Sequence, residues 1–515
     1  MSMHKIDYGD ANVACGLFLR RLGRLDAATT KRYHEVHHRS FAHLSTFVDR
    51  STINEAILQT LQEARTYIFF VSFLIQDDDI TEALIAAAKR LHGHVYVLTT
   101  LKNQDFEAAQ VEKDEAADEG WSFQDHIQHI AQLTASGIFV KARKDCHAKF
   151  VIADDTCAIV TSANAAPTCY VNIDRPNGTQ RPANGENGVL ITIPSEVARL
   201  GNFFRAIWRS GSNYYVSPDA DLFDIGQYTD EIVTIKCAEP RERDARGEAL
   251  WTAPGDTRIR DALLPMIGEA KHRIRMSSMF MEGMESHAFG EALSAAARDG
   301  VETEIILRRT HKPERLRSCY CLKKTMGDRL TILGDYYNHS KALLIDNTNA
   351  MVMTANLDAN HGLDCGVEVA FRSCDKRFAK AVSHFLDKLQ AQAHLEFVAD
   401  PTQAQAAERW PGPKATGLAD RLHLHITPMK YPTNEERAIS AFISALETEL
   451  VRVRYDIAEG DGSRLLLVTD ALIAHCQRHD PSRLTVLHIE EYPRKRVLAG
   501  PGSVLSPTTI TVTTS

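Results

Sequence analysis

Two short segments of the chain carry the same polar residues at the same spacing. The first reads HAKFVIADDTCAIVTSAN from His147, and the second reads HSKALLIDNTNAMVMTAN from His339. Four polar pairs are each separated by 192 positions: His147 and His339, Lys149 and Lys341, Asp154 and Asp346, and Asn164 and Asn356. Four matches at one offset, inside two apolar strand-like runs, are much harder to obtain by chance than a single H-x-K.

These residue types supply what the cleavage of a phosphodiester requires when no metal takes part. One imidazole can attack phosphorus to form a covalent phosphohistidine, while the other protonates the leaving oxygen and then acts as base for an incoming water or alcohol. Lysine and asparagine side chains can hold the non-bridging oxygens as charge develops on them. Because His and Lys lie two residues apart on a strand, each segment presents both side chains on one face.

Each segment reads H-x-K, four residues, D, six residues and a small-residue triplet ending in Asn, which resembles the signature of the phospholipase D superfamily. In that family, two such motifs meet across a pseudo-twofold axis to make one active site. The resemblance covers roughly residues 40 to 395. The family's G-S-x-N is read here as Thr161-Ser162-Ala163-Asn164 and Met353-Thr354-Ala355-Asn356, so the Gly is replaced in both copies.

The resemblance implies a role for each motif residue. By analogy, His147 is the nucleophile and His339 the acid, although the symmetry of the sequence alone does not decide between them. Asp154 and Asp346 are grouped with the catalytic residues, but buttressing of the strand end is the preferred interpretation and proton handling the alternative. The remaining assignments are Lys149 and Lys341 as catalytic cations, Ser162, Asn164, Thr354 and Asn356 as phosphate-binding residues, and Glu186 and Glu368 as carboxylates that orient the histidines. No metal and no cofactor is expected.

An internal repeat surrounds the motifs. Residues 53–75 and 259–281 are similar in sequence at a constant offset of 206. In each segment, apolar residues at helical spacing follow a Ser, Thr or Asp that can begin a helix, and a strand-like run comes next. A second helix and strand follow from Thr81 and from Gly290. Alternating helices and strands predict a duplicated α/β fold with two mostly parallel sheets flanked by helices and related by a pseudo-twofold axis.

The repeat sets the predicted domains: an N-terminal extension (1–40), a first half (41–215), a second half (216–398) and a small C-terminal α/β appendage (418–500). The appendage matches neither repeat, and it is the expected docking surface for any protein partner. It is predicted to hold a strand from Leu422 and helices near 435–450 and 465–478, and the Ser- and Thr-rich tail from Gly500 is expected to be disordered. The first half carries two extra segments, an acidic one at Gln104–Gly120 and a polar one at Cys169–Asn184, the latter either a cleft rim or a flexible loop.

Composition excludes several classes of protein. The 515 residues carry a net charge of −8 and are 44% hydrophobic, as in a soluble globular protein, which excludes collagen-like, disordered and disulfide-scaffold chains. The ten cysteines form no C-x-x-C pair, which favours a reducing compartment. With no convincing signal peptide or bilayer-spanning run, a cytoplasmic location without integral membrane association is predicted.

The substrate is left open by the sequence. Two motifs in one chain resemble the lipid-processing members of the family, including phosphatidylserine and cardiolipin synthases, and favour phospholipid headgroup hydrolysis or phosphatidyl transfer. A basic stretch from Arg308 to Lys324 supports the alternative of a metal-independent nuclease acting on DNA or RNA, or is simply solvated. A non-catalytic interaction scaffold is the third hypothesis. The H-E-x-x-H match at His34–His38 has no convincing third ligand and is interpreted as a solvated helix rather than a zinc site.

Overall fold

The computed structural model describes residues 16–20, 40–46, 52–100, 123–174, 180–210, 214–215, 246–309, 313–399, 423–425, 486–491 and 504–513. Its helices are α1 (Thr52–Glu63), α2 (Asp78–Arg90), α3 (Phe123–Ala135), α4 (Pro194–Arg209), α5 (Arg258–Gly268), α6 (Ala288–Arg298), α7 (Pro313–Met326) and α8 (Lys376–Gln392). The strands of the N-terminal part are β1 (Gly16–Arg20), β2 (Phe41–Ser45), β3 (Ile68–Val71), β4 (Val95–Thr99), β5 (Phe139–Ala142), β6 (Phe150–Ala153), β7 (Cys157–Thr161), β8 (Ile173–Asp174), β9 (Gln180–Arg181), β10 (Asn187–Ile191) and β11 (Tyr214–Tyr215). The later strands are β12 (Glu248–Ala253), β13 (Asp256–Thr257), β14 (Arg273–Ser278), β15 (Met281–Glu282), β16 (Glu302–Arg308), β17 (Leu330–Asp335), β18 (Ala342–Ile345), β19 (Asn349–Met353), β20 (Leu357–Asp358), β21 (Glu368–Ser373), β22 (Leu395–Ala399), β23 (His423–His425), β24 (Val486–Glu491) and β25 (Val504–Thr513).

Two large sheets form the body of the protein, one for each half of the repeat. The first has eight strands in the order β11-β5-β4-β3-β6-β7-β10-β2, and the second has ten in the order β1-β22-β17-β16-β14-β18-β19-β21-β12-β13. The predicted helix and strand units are confirmed in both halves, as α1 and β3 followed by α2 and β4, and as α5 and β14 followed by α6 and β16. The duplicated α/β fold is therefore confirmed.

Strand pairing in the sheets is mixed, which corrects the expectation of mostly parallel sheets. Parallel pairs link β3, β4 and β5 in the first sheet and β14, β16 and β17 in the second, where helices connect successive strands. The motif strands β6 and β18 instead pair antiparallel on both sides. Only three residues separate β6 from β7. So short a connection forces an antiparallel hairpin, whereas a parallel crossover needs a dozen residues or more.

A shared hydrophobic core joins the two sheets. It contains Phe150 and Ile152 of the motif strand β6 together with Ala342 and Leu344 of the motif strand β18, all of them buried. Aromatic rings from the two halves also stack, as Phe203 does on Trp251 with 5.1 Å between the ring centroids. Because both motif strands are buried against the same core, the halves cannot separate without exposing this apolar surface to water.

The N-terminal strand β1, from the predicted extension, belongs to the sheet of the second half. It pairs antiparallel with β22, so that Gly16 faces Ala399 and Arg20 faces Leu395. The buried Phe18 ring packs on Phe397 at 5.4 Å between centroids. The residues between β1 and the first half lie outside the described ranges, and the predicted domain boundaries stay predictions.

Three strands are described in the C-terminal region, where β25 lies between β23 and β24. The strand predicted from Leu422 corresponds to β23, and β25 shows that the expectation of a disordered tail is wrong for Val504–Thr513. The two predicted helices of the appendage lie outside the described residues. No helix in the described part of the chain has both the length and the apolar character needed to cross a membrane.

Candidate active site

Each motif histidine is hydrogen-bonded to a glutamate of the opposite half. His147 Nδ1 lies 2.8 Å from Glu368 Oε1, and His339 Nδ1 lies 2.7 Å from Glu186 Oε1. Both carboxylates are completely buried. The sequence predicts these glutamates as partners of the histidines but not that they exchange partners between the halves. The crossed pairs bring the two motifs into one site.

Backbone hydrogen bonds between the halves place each histidine beside that glutamate. His147 N donates to the carbonyl of Val367, the residue before Glu368, at 3.1 Å. In the same way, His339 N donates at 3.1 Å to the carbonyl of Gly185, the residue before Glu186. These main-chain hydrogen bonds fix the backbone of each histidine beside that of its glutamate partner, within reach of the side-chain hydrogen bond.

The motif hydroxyls donate hydrogen bonds to the glutamates. Ser162 Oγ donates to Glu186 Oε2 at 2.5 Å, and Thr354 Oγ1 donates to Glu368 Oε2. A hydroxyl has one proton to donate, and here the carboxylate receives it. The structure therefore places Ser162 and Thr354 as supports of the His–Glu pairs, and the phosphate-binding role expected for them stays a prediction.

The two motif lysines are buried beside the histidines of their own motifs. Lys149 Nζ donates to the carbonyl oxygen of His147 at 2.5 Å, and Lys341 Nζ donates to that of His339 at 2.6 Å. Burial lowers the pKa of Lys149 to about 7, although the nearby carboxylate of Glu368 acts in the opposite direction. An anionic substrate would restore the charge of this ammonium group.

The motif asparagines present unsatisfied amides. The Oδ1 atoms of Asn164 and Asn356 are buried and have no hydrogen-bond partner among the residues that the structure describes. Other buried polar atoms of the described residues also lack a partner, so it is the equivalence of these two positions in the motifs that makes them candidate ligand contacts. Rotation of an amide exchanges its oxygen and nitrogen, and the NH₂ group could then donate to a phosphate oxygen.

The electrostatics favour neutral imidazoles and ionised carboxylates in the substrate-free site. Burial lowers the pKa of His147 to about 3 and that of His339 to about 4, although the paired glutamates oppose this shift. Burial by itself raises the pKa of Glu186, but the interaction with His339 outweighs it and brings the value down to about 2. The pKa of Glu368 is likewise held well below its usual range by His147 against the effect of burial. Each imidazole thus carries its proton on Nδ1, which leaves the Nε2 lone pair for attack.

The motif aspartates lie at the far ends of the motif strands. Asp154 accepts hydrogen bonds from the backbone N–H groups of residues 65–67 at 2.8 to 3.0 Å, and Asp346 accepts from those of residues 271–273 at 2.7 to 2.9 Å. Five residues of extended chain separate Lys149 from Asp154, about 16 Å. This placement favours the buttressing interpretation of both aspartates over proton handling.

The polar insertion Cys169–Asn184 packs against the segment that leads to His339. Its strands β8 and β9 form a short hairpin, and the guanidinium of Arg181 lies 5.1 Å from the ring centroid of Tyr337. Of the two interpretations left by the sequence, the described part of the insertion fits the cleft rim.

The basic stretch from Arg308 to Lys324 is partly neutralised by acidic neighbours. Arg315 Nε lies 3.4 Å from Glu282 Oε2, and Arg317 Nε lies 3.4 Å from Glu285 Oε1. Residues 310–312 of the stretch lie outside the described ranges. The paired charges weaken the interpretation of this stretch as a surface for polyanions.

Three further residues approach the histidines, although the sequence does not single them out as site residues. The Phe73 ring lies 5.3 Å from that of His147 between centroids, and His361 Nδ1 lies 3.7 Å from Glu368 Oε1.

Cys169 Sγ, a carboxylate oxygen of Glu186 and a ring nitrogen of His339 lie within 4.8 Å of one another. Thiol, carboxylate and imidazole are possible ligands for a soft metal ion, but here Glu186 and His339 already bind each other. Cys169 and His361 are 192 positions apart, the same separation as the motif residues, and this spacing is the signal in the sequence that could have identified them.

Comparison with known proteins gives matches over both halves. A family model described as cardiolipin synthase, PLD-like domain, matches residues 57–208 and 263–390, which together exceed half of the chain. Among solved structures, phosphatidylserine synthase from Haemophilus influenzae Rd KW20 is 11% identical with a TM-score of 0.47, covering 82% of this chain and 97% of that one. Polyphosphate kinase from Porphyromonas gingivalis is 14% identical with a TM-score of 0.44 over 68% of this chain, which spans 50% of that kinase. The phospholipase D family member Nuc from Salmonella typhimurium is 17% identical with a TM-score of 0.25, covering 29% of this chain and 96% of Nuc. No curated protein matches the chain.

Proposed function

Because the chain belongs to the phospholipase D-like family, we propose that it cleaves a phosphodiester bond through a covalent phosphohistidine in one site shared by its two halves. The crossed His–Glu hydrogen bonds carry this proposal. They give the site a half-buried imidazole at His147 and a buried one at His339, each held through Nδ1 by an ionised carboxylate. A displacement through a phosphohistidine can use such a pair, with one imidazole to attack phosphorus and the other to transfer protons.

In the first step, the Nε2 lone pair of His147 forms an N–P bond while the bond from phosphorus to the leaving oxygen breaks. The leaving oxygen takes a proton from His339. The non-bridging oxygens are held by the two buried ammonium groups and the two unsatisfied amides, those of Lys149, Lys341, Asn164 and Asn356. The two ammonium groups are in place before the reaction, and the two amides donate to the phosphate oxygens once their NH₂ groups turn toward them.

In the second step, water or an alcohol gives its proton to His339 as its oxygen attacks phosphorus. The N–P bond breaks, and its electron pair returns to His147 Nε2. Water gives hydrolysis and an alcohol gives transfer, so the same residues serve both outcomes.

Substrate binding prepares His339 for its role as acid. In the substrate-free site, burial keeps the pKa of His339 at about 4, so the imidazole is neutral at pH 7. A bound phosphodiester places a negative charge nearby and raises that pKa, while Glu186 stays ionised and stabilises the imidazolium. Proton uptake therefore accompanies the binding of an anionic substrate.

The preferred substrate is a phospholipid headgroup, cleaved by hydrolysis or phosphatidyl transfer. Two large apolar side chains lie exposed on segments that lead into the site, Val171 at 50% and Tyr336 at 40% of their full accessibility. Val171 follows Cys169 by two residues, and Tyr336 precedes His339 by three. Exposed apolar groups at a cleft suit a substrate presented by a lipid surface. The paired arginines of α7 give less support to a nucleic acid.

The test incubates the full chain with EDTA and three substrates: labelled phospholipid vesicles, single-stranded DNA and RNA. Ethanol is added in a parallel reaction, because a phosphatidyl transferase would form phosphatidylethanol. We expect cleavage of the phospholipid alone, its loss in His147→Ala and His339→Ala, and its retention in His94→Gln, an exposed histidine of the first half. Cleavage of DNA or RNA alone would overturn the lipid assignment, and undiminished cleavage in both alanine variants would overturn the mechanism.

A further inference from the structure

One position after each motif carries different residues in the two halves. Cys169 follows Asn164 by five residues, His361 follows Asn356 by five, and 192 positions separate Cys169 from His361, as they separate the motif residues themselves. Each lies in a short helical turn just after its motif, the 3₁₀ turn Pro167–Cys169 and the π-helical turn His361–Cys365. The repeat therefore makes the two residues structural equivalents.

Both residues contact the carboxylate that holds a motif histidine. His361 Nδ1 lies 3.7 Å from Glu368 Oε1, the oxygen that also binds His147 Nδ1 at 2.8 Å. Cys169 Sγ lies within 4.8 Å of a Glu186 oxygen and of a His339 ring nitrogen. The thiol also accepts a hydrogen bond from Asn184 Nδ2 at 3.8 Å. Equivalent positions thus reach the two His–Glu pairs with different chemistry.

The His361 ring is closely supported by the backbone. A Cβ added at Gly366 would lie 2.3 Å from His361 Nδ1, and Gly366 N donates to the carbonyl of His361 at 2.7 Å. The His361 ring also stands perpendicular to that of His147 at 5.9 Å between centroids. The His361 side chain is 38% exposed, whereas Cys169 is buried.

On the basis of the proposed function, we infer that Cys169 and His361 are positioning residues that divide the roles of nucleophile and acid between two otherwise equivalent histidines. His361 shares Glu368 with His147, so this carboxylate is less able to stabilise a positive charge on His147. That histidine stays neutral and attacks phosphorus. Cys169 shares Glu186 with His339 only through a thiol, which is a weak donor and adds no charge, so this carboxylate remains available to stabilise the imidazolium of His339. Burial, followed by the charge of Glu186, raises the pKa of Cys169 well above its usual value and keeps the thiol neutral.

The location of the phosphohistidine tests this inference. The probe is bis(p-nitrophenyl) phosphate, whose two ester groups are identical, so the way in which it binds does not bias which histidine is attacked. The full chain is mixed with the probe, quenched with alkali to preserve the N–P bond, and digested for mass spectrometry. Wild type, His361→Ala, His361→Gln and the surface control His94→Gln are compared, and thermal melting establishes that each variant is folded.

We expect the adduct on His147 in wild type and in His94→Gln. In His361→Ala and His361→Gln we expect a second adduct on His339, with the ratio of the two sites changed at least tenfold, a change that simple destabilisation would not produce. An unchanged ratio in both His361 variants, or a wild-type adduct on His339, would overturn the inference and leave the phosphohistidine mechanism standing. Absence of turnover and of any adduct in wild type would overturn the proposed function and this inference with it.

Discussion

The two halves of the protein share one arrangement and differ in the residues that follow it. In both, a lysine donates to the carbonyl of its motif histidine, and a hydroxyl donates to a buried glutamate. An aspartate accepts hydrogen bonds from the backbone N–H groups at the start of the strand that follows the first helix of the repeat, β3 or β14. The structures of the two halves differ after the motif asparagine. The first continues through Cys169 and a polar insertion, and the second through His361 and a π-helical turn. Duplication thus provides two similar groups, and the chemistry requires them to act differently.

The largest expected difference between the halves lies in the two histidines. His147→Ala and His339→Ala should each slow the turnover of alkyl phosphodiesters by about 10³-fold or more, because attack or protonation is lost. They should differ with bis(p-nitrophenyl) phosphate, whose leaving group needs no proton. His339→Ala should still release p-nitrophenol in one rapid burst, and His147→Ala should release none, as stopped-flow absorbance would measure. Identical behaviour of the two variants would mean that the halves do not have separate roles.

The glutamates give the next largest effect. Glu186→Gln and Glu368→Gln remove a negative charge with little change of shape, and each should lower kcat/KM by about 10²-fold. Glu186 is proposed to support the acid, so its loss should lower kcat/KM more for aryl phosphodiesters with poorer leaving groups. The loss of Glu368 should lower kcat/KM by the same factor for all of them. A leaving-group series measures this difference. Equal slopes in the two variants would contradict the division of roles.

Lys149 gives a smaller effect that depends on pH. Its pKa of about 7 leaves the amine about one-tenth charged at pH 8 and mostly charged at pH 6. A bound anion favours the charged form, so the binding of dimethyl phosphate should take up nearly one proton more at pH 8 than at pH 6. Calorimetry in buffers of different ionisation enthalpy measures the uptake. Lys149→Arg remains charged at both pH values, so its proton uptake should be the same at pH 8 and pH 6. An Arg variant that still took up more protons at pH 8 would mean that another group binds the proton.

The aspartates should show the smallest effect on catalysis and the least difference between the halves. Asp154→Asn and Asp346→Asn weaken hydrogen bonds to three backbone N–H groups each, which should lower the free energy of unfolding by about 1–2 kcal/mol. Activity at 25 °C should stay within a few-fold of wild type. Urea denaturation and kcat measure the two quantities, with the exposed Asp328→Asn as control. A much larger loss of kcat than of stability would return these aspartates to proton handling.

Much of the fold could be predicted because the repeat shows the sequence pattern of each helix and strand twice. The helix and strand units recur with the same apolar spacing, and the two motifs mark equivalent strands. The mixed pairing was not predicted, because alternating helices and strands resemble a parallel sheet until the three-residue connection from β6 to β7 is considered. The strand β1 depends on a partner almost four hundred positions away and has no local signal.

The site could be predicted as a set of residues but not as a set of contacts. The polar types and their spacing identify the histidines, lysines and asparagines. The exchange of glutamates between halves depends on how the sheets pack, which no local pattern records. The hydrogen bonds from Ser162 and Thr354 to the glutamates could not be predicted either, because a sequence does not show to which atom a hydroxyl donates its proton.

The number of sites per chain tests the central claim most directly. If the crossed pairs form one site from both halves, rapid mixing of bis(p-nitrophenyl) phosphate with wild type should release one equivalent of p-nitrophenol per chain in the burst, with the adduct on His147. His339→Ala should also release one equivalent before turnover stalls, and His147→Ala should release none. A burst of two equivalents in wild type, or of one equivalent in each alanine variant, would mean two independent sites and would contradict the account.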